Sequence, residues 1–411
     1  MPLFRAIYFA LFITNRIRQS NRQAFAYVVH QVATFSLAIG FASILVASMV
    51  MFGFQSEINK KMTSFFGHFE ITKQVGHAYP YEPPCIHAIQ INRLLKNLPT
   101  AIEKIEAFAQ KPVLIDTKEG IEGLLCKGLD HNTLHQELES YIIAGRLPYL
   151  KALTYQNELL ISHYMAQKLS IALGDHIIIH TIDPSTRFRK LKVVGIYRTY
   201  INDIDASLAF CDIRLIQRLN NWTPEMVDGY EVFIKKNIPI KKMLRDDILH
   251  LIDDNLRVVK TDQKYAAFSD WLAIFQKNTI IFMVFILLIA CFTMVATAIV
   301  QVIERNDMVA LFKSLGAHTW QINVIILCNS LYTLCWGMLY GNILGMGLCF
   351  LQSHYKLITL EPELYYMQHV PISWVWQTVF LPNLCAFCAI SLGLYGAITL
   401  FNKNKIIEAL E

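Results

Sequence analysis

Charged side chains are scarce in this 411-residue sequence, and whole stretches have none. Only 17% of the residues are Asp, Glu, Lys or Arg, against about 25% in soluble proteins, and 54% are hydrophobic. None occurs between Arg22 and Glu57, Lys277 and Glu304, Lys313 and Lys356, or Glu363 and Lys403. Because a charge at the bilayer centre costs about 2.5–3.5 kcal/mol and a spanning helix needs about 20 apolar residues, these stretches predict four membrane spans.

The sequence also lacks the short motifs of common enzymes. It has no G-x-x-x-x-G-K-[ST] loop to hold nucleotide phosphates and no G-x-S-x-G nucleophile elbow. His131 and His135 stand four residues apart beside Glu137 and Glu139, but without the H-E-x-x-H order this spacing is more typical of a solvated stretch than of a metal site. No basic cluster indicates a nucleic-acid surface. We therefore expect a non-catalytic chain that needs no cofactor or metal and binds no nucleic acid.

Ionisable groups and paired cysteines are missing where they would carry function. The only ionisable acid or base within the spans is His30, at the inner edge of the first one, which argues against ion-coupled transporters, proton relays and voltage sensors. Only Cys85, Cys126 and Cys211 of the nine cysteines lie outside the spans. This odd number at wide spacing permits at most one disulfide bond there, so the fold is not a disulfide framework.

Positive charge at the N-terminus sets the predicted orientation. Residues 1–29 carry four arginines and no acidic residue, which places them in the cytoplasm. Four spans return the C-terminus to the same side and put the large middle segment outside. The predicted order is a cytoplasmic or interfacial arm (1–29), first span (30–52), extracytoplasmic domain (53–278), second span (279–303), cytoplasmic turn (304–320), third span (321–350), outer loop (351–372), fourth span (373–401) and cytoplasmic tail (402–411).

The arm has the pattern of an amphipathic helix. Its apolar residues recur at helical spacing, at Phe4, Ile7, Tyr8, Leu11 and Phe12. This pattern predicts a helix that lies in the inner membrane interface, or one that packs on a partner in the cytosol.

The extracytoplasmic segment is predicted to form a mixed α+β domain. Short β-rich runs occur at 68–73, 177–182, 191–197 and 230–234, and helical patterns at 86–98, 162–171, 212–220 and 241–252. Asp183-Pro184-Ser185-Thr186 separates two of the runs and indicates a hairpin turn. The predicted fold class is thus a membrane protein with four transmembrane helices and a large α+β domain between the first two.

Two features of the spans suggest packing and binding surfaces. Gly337, Gly341 and Gly345 repeat every fourth residue in the third span, which lets helix backbones approach closely, either within this chain or against a second subunit. Four large apolar residues also lie along one side of the first span. They are Phe41, Leu45, Met49 and Phe52.

The cytoplasmic turn carries a specific resemblance. It reads E-R-x-x-x-x-x-x-K-x-L-G-A from Glu304 to Ala317, with an apolar side and a Gly316 helix stop. Together with the layout of one span, a large domain and three spans, it resembles the type VII ATP-binding-cassette (ABC) permeases, the FtsX/MacB/LolCDE superfamily. Stretches such as 127–130, 143–147 and 157–175 make the chain most similar to the LolC/LolE lipoprotein-releasing permeases.

The resemblance implies a mechanical function in the cell inner membrane. In such families the turn docks as a coupling helix on a separate cytoplasmic ATPase, and lipoproteins enter from the outer leaflet between two permease subunits. By position, coupling falls to Glu304, Arg305, Val309, Phe312, Lys313, Leu315, Gly316 and Ala317. The side chains of the first-span stripe become candidates for contact with lipid or acyl chains; ordinary packing residues are the alternative.

The partners that the resemblance implies are an ABC ATPase, a second permease copy or paralogue, a lipoprotein and membrane lipid. A periplasmic carrier is in doubt, because the hairpin at about 183–190 is too short for the hook that recruits one. Two other functions stay open: a MacB-like export permease, and an FtsX-like regulator that transmits ATPase motion to a cell-wall hydrolase.

Overall fold

The computed structural model describes residues 25–74, 85–97, 99–117, 119–130, 136–150, 156–182, 187–235, 248–264, 266–304 and 306–408. Most of the predicted arm, the two histidines of the weak metal pattern, the hairpin turn 183–186 and Arg305 lie outside these ranges. Contacts divide the chain into two compact units. A helical unit comprises Met1–Ser56, Trp271–Thr359 and His369–Glu411, and a sheet unit comprises Glu57–Asp270 and Leu360–Gln368.

The helices are numbered here in chain order. They are α1 (Phe25–Phe66), α2 (Asn92–Lys96), α3 (Gln136–Glu139), α4 (His163–Lys168), α5 (Asn202–Ser207), α6 (Ile213–Leu219), α7 (Thr261–Lys264), α8 (Ala266–Glu304), α9 (Asn306–Ser314), α10 (Thr319–Tyr355), α11 (Pro362–Tyr365) and α12 (Trp376–Glu408). A 3₁₀ turn at Ala88–Ile91 precedes α2.

Four of these helices, α1, α8, α10 and α12, are long and apolar enough to cross a membrane. Each predicted span lies within one of them, except that 373–375 precede α12. A helix satisfies its backbone hydrogen bonds internally, which a segment in lipid requires. All four contribute to one apolar core, through residues such as Leu37, Met294, Leu334 and Leu394. The helical unit is therefore a bundle built around its own interior.

The sheet unit contains twelve strands in the described residues. They are β1 (Phe69–Lys73), β2 (Ile86–His87), β3 (Ile102–Thr117), β4 (Gly120–Leu129), β5 (Ile142–Gly145), β6 (Glu158–Ser162), β7 (His176–Thr181), β8 (Phe188–Tyr197), β9 (Leu208–Asp212), β10 (Met226–Val227), β11 (Gly229–Ile234) and β12 (Leu256–Lys260). Ten form one mixed sheet in the order β12-β1-β11-β3-β4-β9-β6-β8-β5, with β7 paired to β3 and β8. The 16-residue β3 pairs with β11 along its first half and with β4 along its second.

The predicted secondary structure can be compared with this sheet. The four predicted β-rich runs correspond to β1, β7, β8 and β11, and β7 pairs antiparallel with β8 as a hairpin requires. The prediction of a helix over 86–98 is wrong at its start, because Ile86 and His87 form β2 and pair with β10. The part of the 241–252 helix up to 247 lies outside the described residues. The mixed α+β class is confirmed.

Candidate coupling turn and bundle surface

Helix α9 follows α8 after residue 305 and has two different sides. Val309 and Phe312, three residues apart, are half-buried and pack against the apolar core of the bundle. Leu311 and Leu315 are 59% and 75% exposed. Since i, i+3 and i+4 positions share one helix face, α9 attaches to the bundle by one side and presents leucines on another.

A glycine stop fixes the end of α9. Gly316 has a φ of +87°, the left-handed conformation that favours glycine. Its N–H donates to the Lys313 carbonyl (3.0 Å), and the Ala317 N–H donates to the Phe312 carbonyl (2.9 Å). These two bonds are those of a Schellman motif, so the predicted stop at Gly316 is found. Helix α10 begins three residues later, and the turn is held at both ends by regular structure.

The remaining predicted coupling residues are placed as follows. Glu304 ends α8 and is exposed, and Lys313 is exposed on α9. Ala317 is half-buried at the stop. The apolar contribution to an outside surface comes from Leu315, which the sequence pointed to, and from Leu311, which was not among the coupling residues. Their role in coupling stays a prediction.

The glycine repeat lies against α1 of the same chain. A Cβ atom added to Gly337 would come within 2.6 Å of Leu37 Cβ, and one on Gly341 within 2.6 Å of the Ala38 carbonyl oxygen. On Gly345 it would come within 2.7 Å of Leu45 Cδ2. Of the two predicted uses of this repeat, the described contacts are those of packing within the chain's own bundle.

The apolar stripe of the first span requires a correction for the same reason. Phe41, Leu45 and Met49 are 2% exposed or less, because they face the interior where α10 approaches closely. They do not face lipid or substrate from this chain. Phe52 is 37% exposed and still can. The alternative of ordinary packing residues thus holds for three of the four.

A different apolar face was missed from the sequence. Phe282, Phe285, Ile289 and Phe292 on α8 are 57–73% exposed and recur at i, i+3, i+7 and i+10, on one side of the helix. Hardly any of the apolar window of α8 is buried within the chain. The aromatic spacing was visible in the sequence, but every residue around it is apolar too, so no contrast marked the face.

Buried lysines hold the last turns of α1 to the sheet unit. Lys61, 6% exposed, donates from Nζ to the carbonyls of Thr199 (2.9 Å) and Tyr366 (2.6 Å). Lys127 donates to the Phe65 carbonyl (2.5 Å) and pairs with Glu231 at 2.6 Å. These bonds were not anticipated from the sequence. The neighbouring apolar pattern of α1 near Lys61 was a usable signal, because a lysine on a buried stripe requires acceptors.

Burial also shifts the acids of this sheet. Glu231 lies beside Glu70 and Glu106 in the strand register. Burial raises the pKa of Glu231 to about 7, although the Lys127 ammonium lowers it. Burial likewise raises the pKa of Asp205, while its hydrogen bonds from Thr199 and Tyr200 lower it. These groups are placed to bind backbone and one another, and no group of three metal-ligating side chains occurs in the described part of the chain.

Comparison with known families adds the deciding observation. The model of the "FtsX-like permease C-terminal" family matches residues 280–404, which hold most of α8, all of α9 and α10, and most of α12. The chain carries an FtsX-like permease domain. The family predicted from the sequence motifs is confirmed, and the FtsX-like protein is of the ABC-transporter permease class.

Relatives similar along most of this FtsX-like chain carry lipoprotein-release names. The "Lipoprotein-releasing system transmembrane protein LolE" of Haemophilus influenzae is 22% identical over 92% of this chain and 94% of its own. The protein of the same system named LolC from Neisseria meningitidis is 19% identical over 96% of both chains. These similarities extend well beyond the matched family domain.

Two solved structures overlap with part of the FtsX-like chain. One is the periplasmic region of MacB from Actinobacillus actinomycetemcomitans, at 10% identity over 49% of this chain and 92% of that chain, with a TM-score of 0.36. The other is the extracellular domain of the ABC-type transporter YknZ from Gram-positive bacteria, at 16% identity over 47% of this chain and 99% of that chain, with a TM-score of 0.32. With such low TM-scores, the family assignment rests on the sequence matches.

Proposed function

We propose that this protein is the permease subunit of an ABC transporter that extracts or releases lipoproteins from the outer leaflet of the inner membrane. The relatives named for lipoprotein release, similar over more than nine-tenths of the chain, support this substrate. ATP is hydrolysed by a separate cytoplasmic ATPase. The chain works as a pair, with a second copy or a paralogue, and its termini lie in the cytoplasm while the sheet unit lies in the periplasm.

The observation that carries the coupling proposal is the two-sided α9. Phe312 and Val309 attach the helix to the bundle, so a force on α9 reaches the spans. Leu311 and Leu315 are free to enter an apolar groove on the ATPase, and exposed Lys313 and Glu304 can form charge-assisted hydrogen bonds around it. Arg305 joins them by its position in the turn.

The test replaces both exposed leucines, Leu311→Ala and Leu315→Ala, and measures the affinity of the purified chain for its ATPase. Interface anchors commonly contribute more than 1 kcal/mol, so we expect the dissociation constant to rise at least about fivefold, with unchanged thermal unfolding. Leu357→Ala is the matched control, because Leu357 is 68% exposed at the other end of α10. Equal affinity in the double variant and the control contradicts coupling through α9.

The acyl chains of the substrate are proposed to lie against the exposed face of α8, with Phe52 of α1 as a second contact. Lipid tails require an apolar surface without unpaired polar groups, and Phe282, Phe285, Ile289 and Phe292 provide one. The same face is open to the partner permease, so the acyl site is proposed to lie where two subunits meet.

A photo-crosslinking residue placed at Phe285 tests this site. We expect lipoprotein to be captured from Phe285 and not from Tyr395, which is similarly exposed on α12. Capture of an efflux adaptor or of a cell-wall hydrolase by the complex instead indicates the MacB-like or the FtsX-like function. A periplasmic carrier is expected only if the complex recruits it through a partner subunit.

A further inference from the structure

Five polar side chains meet inside the helix bundle. His30 on α1, Gln301 on α8, and Asn329, Ser330 and Thr333 on α10 are each 8% exposed or less. They join three different helices at one level of the bundle. Nothing in the proposed transport function uses them, although polar groups in a spanning segment are costly to bury.

The hydrogen bonds of this polar cluster fix the form of His30. Asn329 Nδ2 lies 3.1 Å from His30 Nε2 and donates to Gln301 Oε1 at 2.8 Å. Because the Asn329 nitrogen only donates, His30 Nε2 has to accept. His30 Nδ1, 2.8 Å from Thr333 Oγ1, then carries the proton. The bonds as assigned describe a neutral imidazole with its proton on Nδ1.

Three buried polar atoms of the cluster have no partner among the described residues. They are Gln301 Nε2, Asn329 Oδ1 and Ser330 Oγ. One is a donor, one is an acceptor, and the hydroxyl is both. Buried groups of this kind are normally satisfied by protein or by ordered water, and a buried water needs two to four such partners.

The same atomic positions also suit a protonated His30. An imidazolium donates from Nε2, so the Asn329 amide must turn over to present its oxygen, and the Gln301 amide must turn with it to present its nitrogen. Such turns exchange N and O without moving other heavy atoms. The number of hydrogen bonds stays the same. The two unpartnered amide positions change roles, because the donor becomes an acceptor and the acceptor a donor.

Only a molecule that both donates and accepts can satisfy those positions in both states. We propose that this polar cluster binds water within the bundle, and that the bound water and the two amides let His30 exist in either the neutral or the protonated form. A metal cation does not fit, because it would face the Gln301 or Asn329 nitrogen in each arrangement.

Few other charges can influence this site. Between Arg22 and Glu57 no Asp, Glu, Lys or Arg occurs on α1. The nearest titratable residue along α8 is Glu304, which is exposed, and those along α10 are Cys328, half-buried, and Tyr332, exposed. A proton taken up by His30 therefore meets no carboxylate in the polar cluster, and its stabilisation falls to the amides, the hydroxyls and the water.

Water-edited solid-state NMR of the full chain in lipid bilayers tests the water site. We expect magnetisation transfer from water to the side-chain amides of Gln301 and Asn329. The buried Asn383 amide, which donates to Asn342 Oδ1 at 2.7 Å elsewhere in the bundle, is the matched control and should show none. Equal, absent transfer at both places overturns the water site.

The second measurement follows the ¹⁵N signals of His30, assigned by their loss in His30→Gln. At pH 8 we expect the Nδ1-protonated tautomer, and on acidification both nitrogens should become protonated while the protein stays folded. Asn329→Leu, which removes the amide that must turn over, should lower the pH of this change by at least one unit, whereas Asn342→Leu should not. A Nε2-protonated tautomer at pH 8, or the same titration in Asn329→Leu, overturns the proposal; the wild-type spectra decide the tautomer even if a variant fails to fold.

Discussion

At the scale of single residues, the glycines of α10 give the sharpest test of the bundle. We expect Gly341→Leu to destabilise the protein by about 1–3 kcal/mol, because its first side-chain atom meets the Ala38 carbonyl at 2.6 Å and Phe41 at the same distance. Gly347→Leu, in the same helix with no atom within 4 Å, is the control. Thermal unfolding in detergent micelles compares the two. If the losses are equal, helix propensity rather than the close approach to α1 is responsible.

Asp228 gives a test of burial in the sheet unit. Its carboxylate accepts a hydrogen bond from the Gln110 N–H, yet burial raises its pKa from 3.8 to about 7. The folded chain thus keeps a proton that the unfolded chain releases near pH 4. The free energy of unfolding should therefore fall as pH rises from about 4 to about 7, by at most about 1.4 kcal/mol per pH unit for this group.

Denaturant unfolding of wild type and Asp228→Asn across this pH range measures the effect. The variant has no proton to lose, so its stability should decline less steeply than that of wild type. Asp203→Asn, at an exposed position, should follow the wild-type curve. Parallel curves for wild type and Asp228→Asn would mean that Asp228 titrates normally in the folded chain.

Residue-level burial was the least predictable property of the helices. The spacing of Phe41, Leu45 and Met49 identified one side of a helix, but in a span every side is apolar. Which side meets another helix depends on where Gly341 and Gly345 allow close approach. In α9, where polar residues give contrast, the two sides differ clearly, although the sequence did not say which one meets the bundle.

At the scale of elements, the stop after α9 is expected to be sensitive to backbone conformation alone. Gly316 has a φ of +87° and no atom within 4 Å of an added Cβ. Gly316→Ala should therefore cost about 1 kcal/mol through the left-handed conformation, without a steric clash. Hydrogen exchange of the amides of residues 312–317 measures this local loss. Gly396→Ala, also open but within α12, should show no loss.

The strands show which elements a sequence reveals. Short β-rich runs bounded by turns, as in β7 and β8, were predicted at nearly the right residues. The 16-residue β3 was not, because Glu103, Lys104 and Glu106 interrupt its first half and Lys111-Pro112 its centre. Its charges are satisfied by ion pairs such as Lys104–Glu106, which exist only once the sheet has formed.

At the scale of the whole molecule, the proposed topology can be tested by thiol labelling from outside the cell. In a Cys85→Ala background with the outer barrier opened, Ser207→Cys should react with an impermeant reagent and Ser314→Cys should not, since both serines are exposed. The native Cys126 and Cys211 are fully buried and should react only after denaturation. Labelling at 314 with protection at 207 would mean the inverted orientation.

Cys126 and Cys211 should also remain thiols. Their sulfur atoms lie 3.8 Å apart, but Cys126 is in register with Ala209, two residues before Cys211 on the neighbouring parallel strand. Two residues along a strand and one strand across separate the Cα atoms by about 8 Å, beyond the reach of a disulfide. Mass spectrometry without reductant should therefore find both alkylated after unfolding, and a linked peptide pair would contradict this.

Helix α1 runs without a break for 42 residues, about 63 Å, which is roughly twice the thickness of a bilayer interior. Its early turns must face Gly337 and Gly341, and its late turns must aim Lys61 at two fixed carbonyls. Each residue advances the helix by about 100°, so the two ends share one rotational phase. Over evolution, the segment between them should gain or lose residues only in numbers close to whole helical turns, so that its length changes in steps while its composition varies freely.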